Sequence, residues 1–285
     1  MKRSLKTLNI TGMVLLAITI MQSCSKEASP EVEEEQFEVA ELQISDESEL
    51  ISEEVLNIGE EVYSTDEIQA GSKGSYNTGF LPICVTITTV ITGNTKTKTI
   101  DFGEGCELPN GNFLSGIIYL SYAKDMDVPS KTLSLSLENF TFNGVAVSGS
   151  ASVLRVRANE NGNPQSDAEA GFSATWPDGA TASFEGERTR EWIEGYGSGF
   201  WGDNVFLITG KRTFTGPQGN TFQKEVISPL RRELSCRFLV SGVLEISRND
   251  KTASLDFGSG ECDAIGVITY PDGESEEIYL RRFKR

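Results

Sequence analysis

Residues 84–106 read Cys-Val-Thr-Ile-Thr-Thr-Val-Ile-Thr-Gly-Asn-Thr-Lys-Thr-Lys-Thr-Ile-Asp-Phe-Gly-Glu-Gly-Cys, and residues 236–262 repeat the plan. Each copy is a cysteine, an alternating strand, a turn, a second strand and an Asp-Phe-Gly corner followed by a second cysteine. Apolar side chains recur at every second position, as they do in half-buried antiparallel strands. Twin spacing predicts two closed hairpins, Cys84–Cys106 and Cys236–Cys262. In the loop-entropy model each bridge stabilises by about 3 kcal/mol. In the corners, Phe102 and Phe257 continue the apolar face. The glycines supply positive φ, and the aspartates are expected to accept backbone hydrogen bonds. The triplet also occurs in protein kinases, but the chain has no kinase nucleotide loop and no His-Arg-Asp loop.

The alternation extends outward from these units. Leu133, Leu135 and Leu137 alternate with serines, and Val145, Val147, Ala151 and Val153 continue the pattern. The step from Leu137 to Phe140 breaks the period and predicts a bulge. Pro177-Asp178-Gly179, Gly216-Pro217-Gln218-Gly219-Asn220 and Pro271-Asp272-Gly273 read as hairpin tips. About thirteen strands are expected. The predicted fold class is all-β, a large antiparallel meander or sandwich over 81–285, with an N-terminal signal segment and one short helix.

Ahead of this domain the chain opens on Lys2, Arg3 and Lys6. An apolar run, too short for a comfortable membrane span, then reaches Met21-Gln22-Ser23-Cys24. This resembles the lipobox of bacterial lipoproteins, with 1–23 as signal peptide and Cys24 as the lipidated residue. The resemblance implies a protein held to a membrane through its N-terminal lipid. Removing Cys24 leaves four cysteines, an even number suited to an oxidising compartment.

Residues 27–70 hold sixteen Asp and Glu and no Lys or Arg, so most of the net charge of −17 sits in one tract. Residues 24–45 read as a solvated acidic tether. An acidic cluster behind a lipidated cysteine also resembles the surface-export signal of Bacteroidota lipoproteins. Within 46–80 a short helix is expected over 46–63, followed by a linker. Leu50, Ile51, Val55, Ile58 and Val62 recur at helical spacing. Two readings stand for this helix: loose packing on the domain, or a partner-binding segment. With no basic stripe, nucleic acid is not an expected partner.

In order, the motifs are a lipobox, an acidic tract with a helix, a Cys–Asp-Phe-Gly–Cys unit and Phe142-Asn143-Gly144-Val145-Ala146-Val147-Ser148-Gly149. Trp192-Ile193-Glu194-Gly195, Ile208-Thr209-Gly210 and the second cysteine unit follow. The chain resembles the uncharacterised lipoproteins of Bacteroidota over nearly its whole length. That resemblance implies an outer-membrane location, periplasmic or surface-exposed, and a fold, but no chemistry.

No catalytic residue is assigned. The chain has no histidine, which removes Ser-His-Asp and Cys-His arrangements, and there is no Gly-x-Ser-x-Gly elbow. Without histidine or a close cysteine pair, no cysteine- or histidine-ligated metal site is assigned, and no cofactor is implied. Asp178, Glu185, Glu187, Glu191 and Glu194 cluster in sequence around Trp176 and Trp192, leaving a glycan-degrading enzyme with paired carboxylates as the alternative function. Glu185, Glu187, Glu191 and Glu194 interleave with Arg188 and Arg190, as on an exposed strand face.

The candidate ligand site is Tyr196-Gly197-Ser198-Gly199-Phe200-Trp201-Gly202-Asp203. Here Tyr196, Phe200, Trp201 and Asp203 have the chemistry to stack on and hydrogen-bond a sugar. The reading favoured over this one turns Phe200 and Trp201 inward to close one end of the domain. A second weak candidate is the oxygen-rich 159–167 stretch, for calcium or as a polar hairpin tip. The function expected is a non-catalytic envelope protein, structural or ligand-binding, with a glycan or another envelope protein as partner.

Overall fold

The structure is a computed structural model describing residues 37–71 and 79–280. The predicted signal peptide, Cys24 and the start of the tether lie outside the described residues. One helix, α1 (Val39–Gly71), precedes fourteen strands. They are β1 (Thr86–Thr92), β2 (Thr95–Asp101), β3 (Cys106–Glu107), β4 (Phe113–Ala123), β5 (Ser130–Phe142), β6 (Val145–Val156) and β7 (Gln165–Thr175). Then come β8 (Thr181–Glu194), β9 (Val205–Thr215), β10 (Thr221–Glu233), β11 (Leu239–Arg248), β12 (Lys251–Ser259), β13 (Ile265–Thr269) and β14 (Ser275–Tyr279). All belong to one antiparallel sheet. Apart from short β3, which pairs with β4, each strand lies beside its sequence neighbour from β1 to β14. The all-β meander expected from the alternation is therefore present.

The hairpin tips form as their residues dictate. Asp178 and Asp272 accept the backbone N–H of Ala180 and Glu274, at 3.0 and 2.9 Å. The Asp-Phe-Gly corners are equivalent: Asp101 and Asp256 each accept the glycine N–H two residues on, at 2.8 Å. Phe102 and Phe257 are buried, and both predicted disulfides, Cys84–Cys106 and Cys236–Cys262, are formed. The expected bulge appears as a register shift between Ser136 and Phe140, with Asn139 at φ +48°.

The helix departs most from expectation. It runs Val39–Gly71 rather than 46–63, taking in the end of the predicted tether and part of the linker. At 33 residues it is ~50 Å long. From Glu41 to Ser64 every residue except Gln43 is buried, on all faces of the helix. Its side chains reach strands from β2 (Asp66 to Lys96) to β14 (Gln43 to the Tyr279 carbonyl), so the sheet wraps around it. It therefore forms the centre of the core, and neither loose packing nor an exposed partner-binding face describes it.

Burial of so many carboxylates requires cations, because an unpaired buried charge is costly. The strands supply them. Glu41 meets Arg248 at 2.6 Å, Glu49 meets Lys224 at 3.3 Å and also Arg212, and Glu53 meets Arg188 at 2.5 Å. Further along, Glu54 faces Arg232 at 3.8 Å and Glu60 faces Arg190 at 3.5 Å. Near the C-terminal end Asp66 takes Lys96 and Lys98, both at 2.7 Å, and Glu67 takes Arg155 at 3.2 Å. These cations also oppose the negative end of the helix dipole, which no basic residue of the last turn does.

Apolar packing fills the gaps between the ion pairs. Ile51, Val55, Leu56 and Ile58 share one cluster with Leu114, Leu120, Leu133, Phe140, Phe184 and Phe214. Gly59, unfavourable in an isolated helix, marks a close approach to β5. A Cβ there would lie 2.2 Å from Leu135 Cδ2. Sheet curvature relies on glycine as well. Gly186 and Gly210, at φ +153° and +138°, face inward where a Cβ would fall 2.3 Å from the Lys211 and Glu187 carbonyl oxygens respectively.

Candidate binding groove

Inward positions of the central strands hold the helix, so the outward positions are free for function. On the outer face an open groove of about 1080 Å³ crosses β2 and β4–β10. Two cross-strand rows form it. One runs Thr97, Ser121, Ser134, Ser152, Glu169, Glu187 and Lys211, each the register partner of the next. The second runs Tyr119, Ser136, Ser150, Gly171, Glu185, Thr213 and Gln223. At ~4.8 Å between strands the rows extend over roughly 30 Å.

The groove arises from side-chain size. Serines and Gly171 end one or two atoms above the sheet. Tyr119 stands at one end, and Glu169, Glu185, Glu187 and Lys211 stand at the other. Tyr119 donates to Glu138 Oε2 at 2.9 Å, a bond that raises its pKa and fixes its ring. Lys211 lies 3.5 Å from Glu225, so the three groove carboxylates leave a net negative surface. Such a surface presents many hydroxyl donors and acceptors and repels polyanions.

The predicted sugar-binding loop has a different role. Tyr196 donates to Glu67 Oε2 at 3.0 Å and sets its ring edge-on to Trp192 at 4.9 Å. Burial first, and then the Glu67 charge, push its pKa up to about 12. Trp201 packs on buried Phe80 at 5.8 Å and on Phe200 at 5.9 Å. Asp203 accepts from Ser198 at 2.9 Å. Of the three predicted rings, Phe200 is the most exposed, at 56 %, while Tyr196, at 38 %, has its hydroxyl and one ring edge engaged. The loop closes the sheet end beside the C-terminal turns of α1.

The sequence cluster of acids is separated by the strand period. Glu185 and Glu187 point outward into the groove, whereas Arg188 and Arg190 point inward to α1, with Trp176 and Trp192 also buried. Interleaving of charges along β8 therefore reflects two faces of one strand. Glu194 pairs with Arg231 at 3.1 Å, and Asp178 caps its turn. Glu191 Oε1 accepts the side-chain amides of Asn159, Asn161 and Asn163 at 3.0, 2.9 and 2.9 Å. Those three bonds hold its carboxyl below the usual range and tie the 159–163 tip to β8. Among the described residues, no group of three His, Cys, Asp or Glu side chains is placed to hold a metal.

Fold and groove together define a class: a disulfide-braced antiparallel β protein, filled by an acidic helix, with a polar groove on its outer sheet face. Comparison with protein-family models, curated proteins and solved structures finds no match to this chain.

Proposed function

We propose that this is a non-catalytic, lipid-anchored protein of the bacterial outer membrane whose outer groove binds a polyhydroxylated ligand, a neutral glycan segment. The observation that carries the reading is the pair of rows in which Ser121, Ser134, Ser136, Ser150 and Ser152 adjoin Glu169, Glu185 and Glu187. Serine hydroxyls both donate and accept, and a carboxylate accepts from neighbouring sugar hydroxyls. The groove's length suits an extended oligomer better than a compact metabolite. Anchoring rests on the Met21-Gln22-Ser23-Cys24 sequence, and the two disulfides suit an oxidising compartment.

Glycan-array binding by the full chain tests the ligand. Ser152→Arg, at an exposed position in the middle of the groove, is expected to weaken retention of any bound glycan at least tenfold. Thr221→Arg, outside the groove, is expected to leave it unchanged. Equal binding by both variants would remove the groove from the function. Release of sugar product by the wild-type protein, lost in Glu185→Gln or Glu187→Gln, would instead establish the carboxylate-enzyme alternative.

Protease shaving of intact cells tests the location. The wild-type protein is expected to be removed from the cell surface and to stay with the membrane fraction, and Cys24→Ala to leave that fraction. Protection of the wild-type protein until the outer membrane is opened would place it in the periplasm.

A further inference from the structure

The two edges of the sheet differ. At one end β14 carries Glu276 and Glu277 within its five residues, and charged side chains of this kind discourage strand addition. At the other end β1 reads Thr86-Ile87-Thr88-Thr89-Val90-Ile91-Thr92. It has no charge and no proline, and all seven residues are β-branched. All seven are also exposed, on both faces of the strand. Among the described residues β1 has one strand neighbour, β2, so its far edge presents unpaired backbone groups. Exposed apolar side chains concentrate here: Ile83, Ile87, Val90 and Ile91 are respectively 104, 41, 60 and 56 % exposed.

The sequence of β1 identifies what fits it. Read from either end about Thr89, the strand is nearly the same. Antiparallel pairing of two copies about that residue sets Thr86 opposite Thr92, Ile87 opposite Ile91, Thr88 opposite Val90, and Thr89 opposite itself. Every resulting pair joins two β-branched side chains, the kind that pack well across strands, and none brings like charges together. Ile87 and Ile91, register partners of Ile100 and Lys96 on the inner face of β2, would then be flanked on their open side.

We propose that β1 is a homodimerisation edge. It pairs antiparallel with β1 of a second copy around a two-fold axis at Thr89, and one continuous sheet spans both protomers. The contact is isologous, so it closes at two copies.

The test is Thr89→Cys in the full chain, oxidised in the compartment where its own disulfides form, with light scattering of the wild-type protein alongside. The expected results are twice the monomer mass for the wild type and a covalent dimer for the variant. Peptide mapping should join position 89 of both copies and retain the Cys84–Cys106 bridge. Adding Thr88→Lys and Val90→Lys sets lysines opposite one another and is expected to reduce the cross-linked fraction at least tenfold. Glu276→Cys, on the other edge, is expected to form no covalent dimer.

A monomeric wild type would overturn the proposal, even if Thr89→Cys failed to fold. So would equal cross-linking from Glu276→Cys, or capture of a different polypeptide by position 89.

Discussion

Replacing Arg188 by alanine is expected to destabilise the protein by about 3–5 kcal/mol, read from urea denaturation followed by tryptophan fluorescence. Arg188 is 4 % exposed and points from β8 into the space around α1. Its Nη1 lies 2.5 Å from Glu53 Oε1, and Glu53 is itself buried, with Arg212 as its second cation at 3.5 Å. The alanine variant leaves Glu53 with that one longer contact in a site closed to water.

The pair is near but imperfectly satisfied. Burial, reinforced by Arg212 and Arg190 and opposed by Glu53 and Glu60, pushes the Arg188 pKa down to about 10. Neither partner's charged atoms have the alignment of a hydrogen bond. The double variant Glu53→Leu/Arg188→Met is therefore expected to range from neutral to about 1–4 kcal/mol more stable than the wild type. A single-variant loss below about 1 kcal/mol would mean that water reaches Glu53 and relieves its charge. A double variant as unstable as Arg188→Ala would mean that the ion pair is needed to hold α1 in register.

That interior was only half legible in the sequence. Strand period, turn residues and twin cysteine spacing depend on local backbone rules, and they gave the meander, its tips and both bridges. The helix was missed in length and position because sixteen acids with no base nearby in sequence look solvated. Their partners are 30 to more than 200 residues away: Asp66 with Lys96, and Glu41 with Arg248.

A signal for this was present. Arg188 and Arg190 share the parity of Phe184 and Trp192 on β8, and Arg212 shares that of Phe214 on β9. A cation in register with the apolar face of a strand points into the core, where it needs an anion. The only long run of acids that could supply one was the predicted tether and helix. The groove was less legible. Serines alternating with leucines describe any solvent face, and only the register that aligns them across β4, β5 and β6 makes them a depression. The aromatic loop drew attention by composition, but Tyr196 and Trp201 are occupied by Glu67 and Phe80.

Acid should release what these ion pairs hold. Burial alone would raise the Glu49 pKa, but Arg212, Lys224 and Arg188 together outweigh it and hold the carboxyl below its ordinary value. Near the C-terminal end of α1, burial of Asp66 is likewise outweighed by Lys96, Lys98 and the Tyr122 hydroxyl, the last at 2.5 Å. Unfolded carboxyls titrate near pH 4. A carboxyl depressed in the folded state adds stability that is complete above that value and lost as pH falls through the folded pKa.

Stability is therefore expected to be flat from about pH 5 to 7 and to fall below about pH 4. Each such group contributes a slope of up to about 1.4 kcal/mol per pH unit, with Glu191 adding a surface contribution. Asp66→Asn tests the assignment. At pH 7 it is expected to be less stable than the wild type, because Lys96 and Lys98 lose their shared anion. Between about pH 2 and 4 its stability should fall less steeply, by one group's share, so the two curves converge in acid. Parallel curves would show that Asp66 titrates alike in both states and that the acid response lies elsewhere among the helix carboxylates. Convergence would identify Asp66, near the C-terminal end of α1, as one point where protonation begins to free the helix from the sheet.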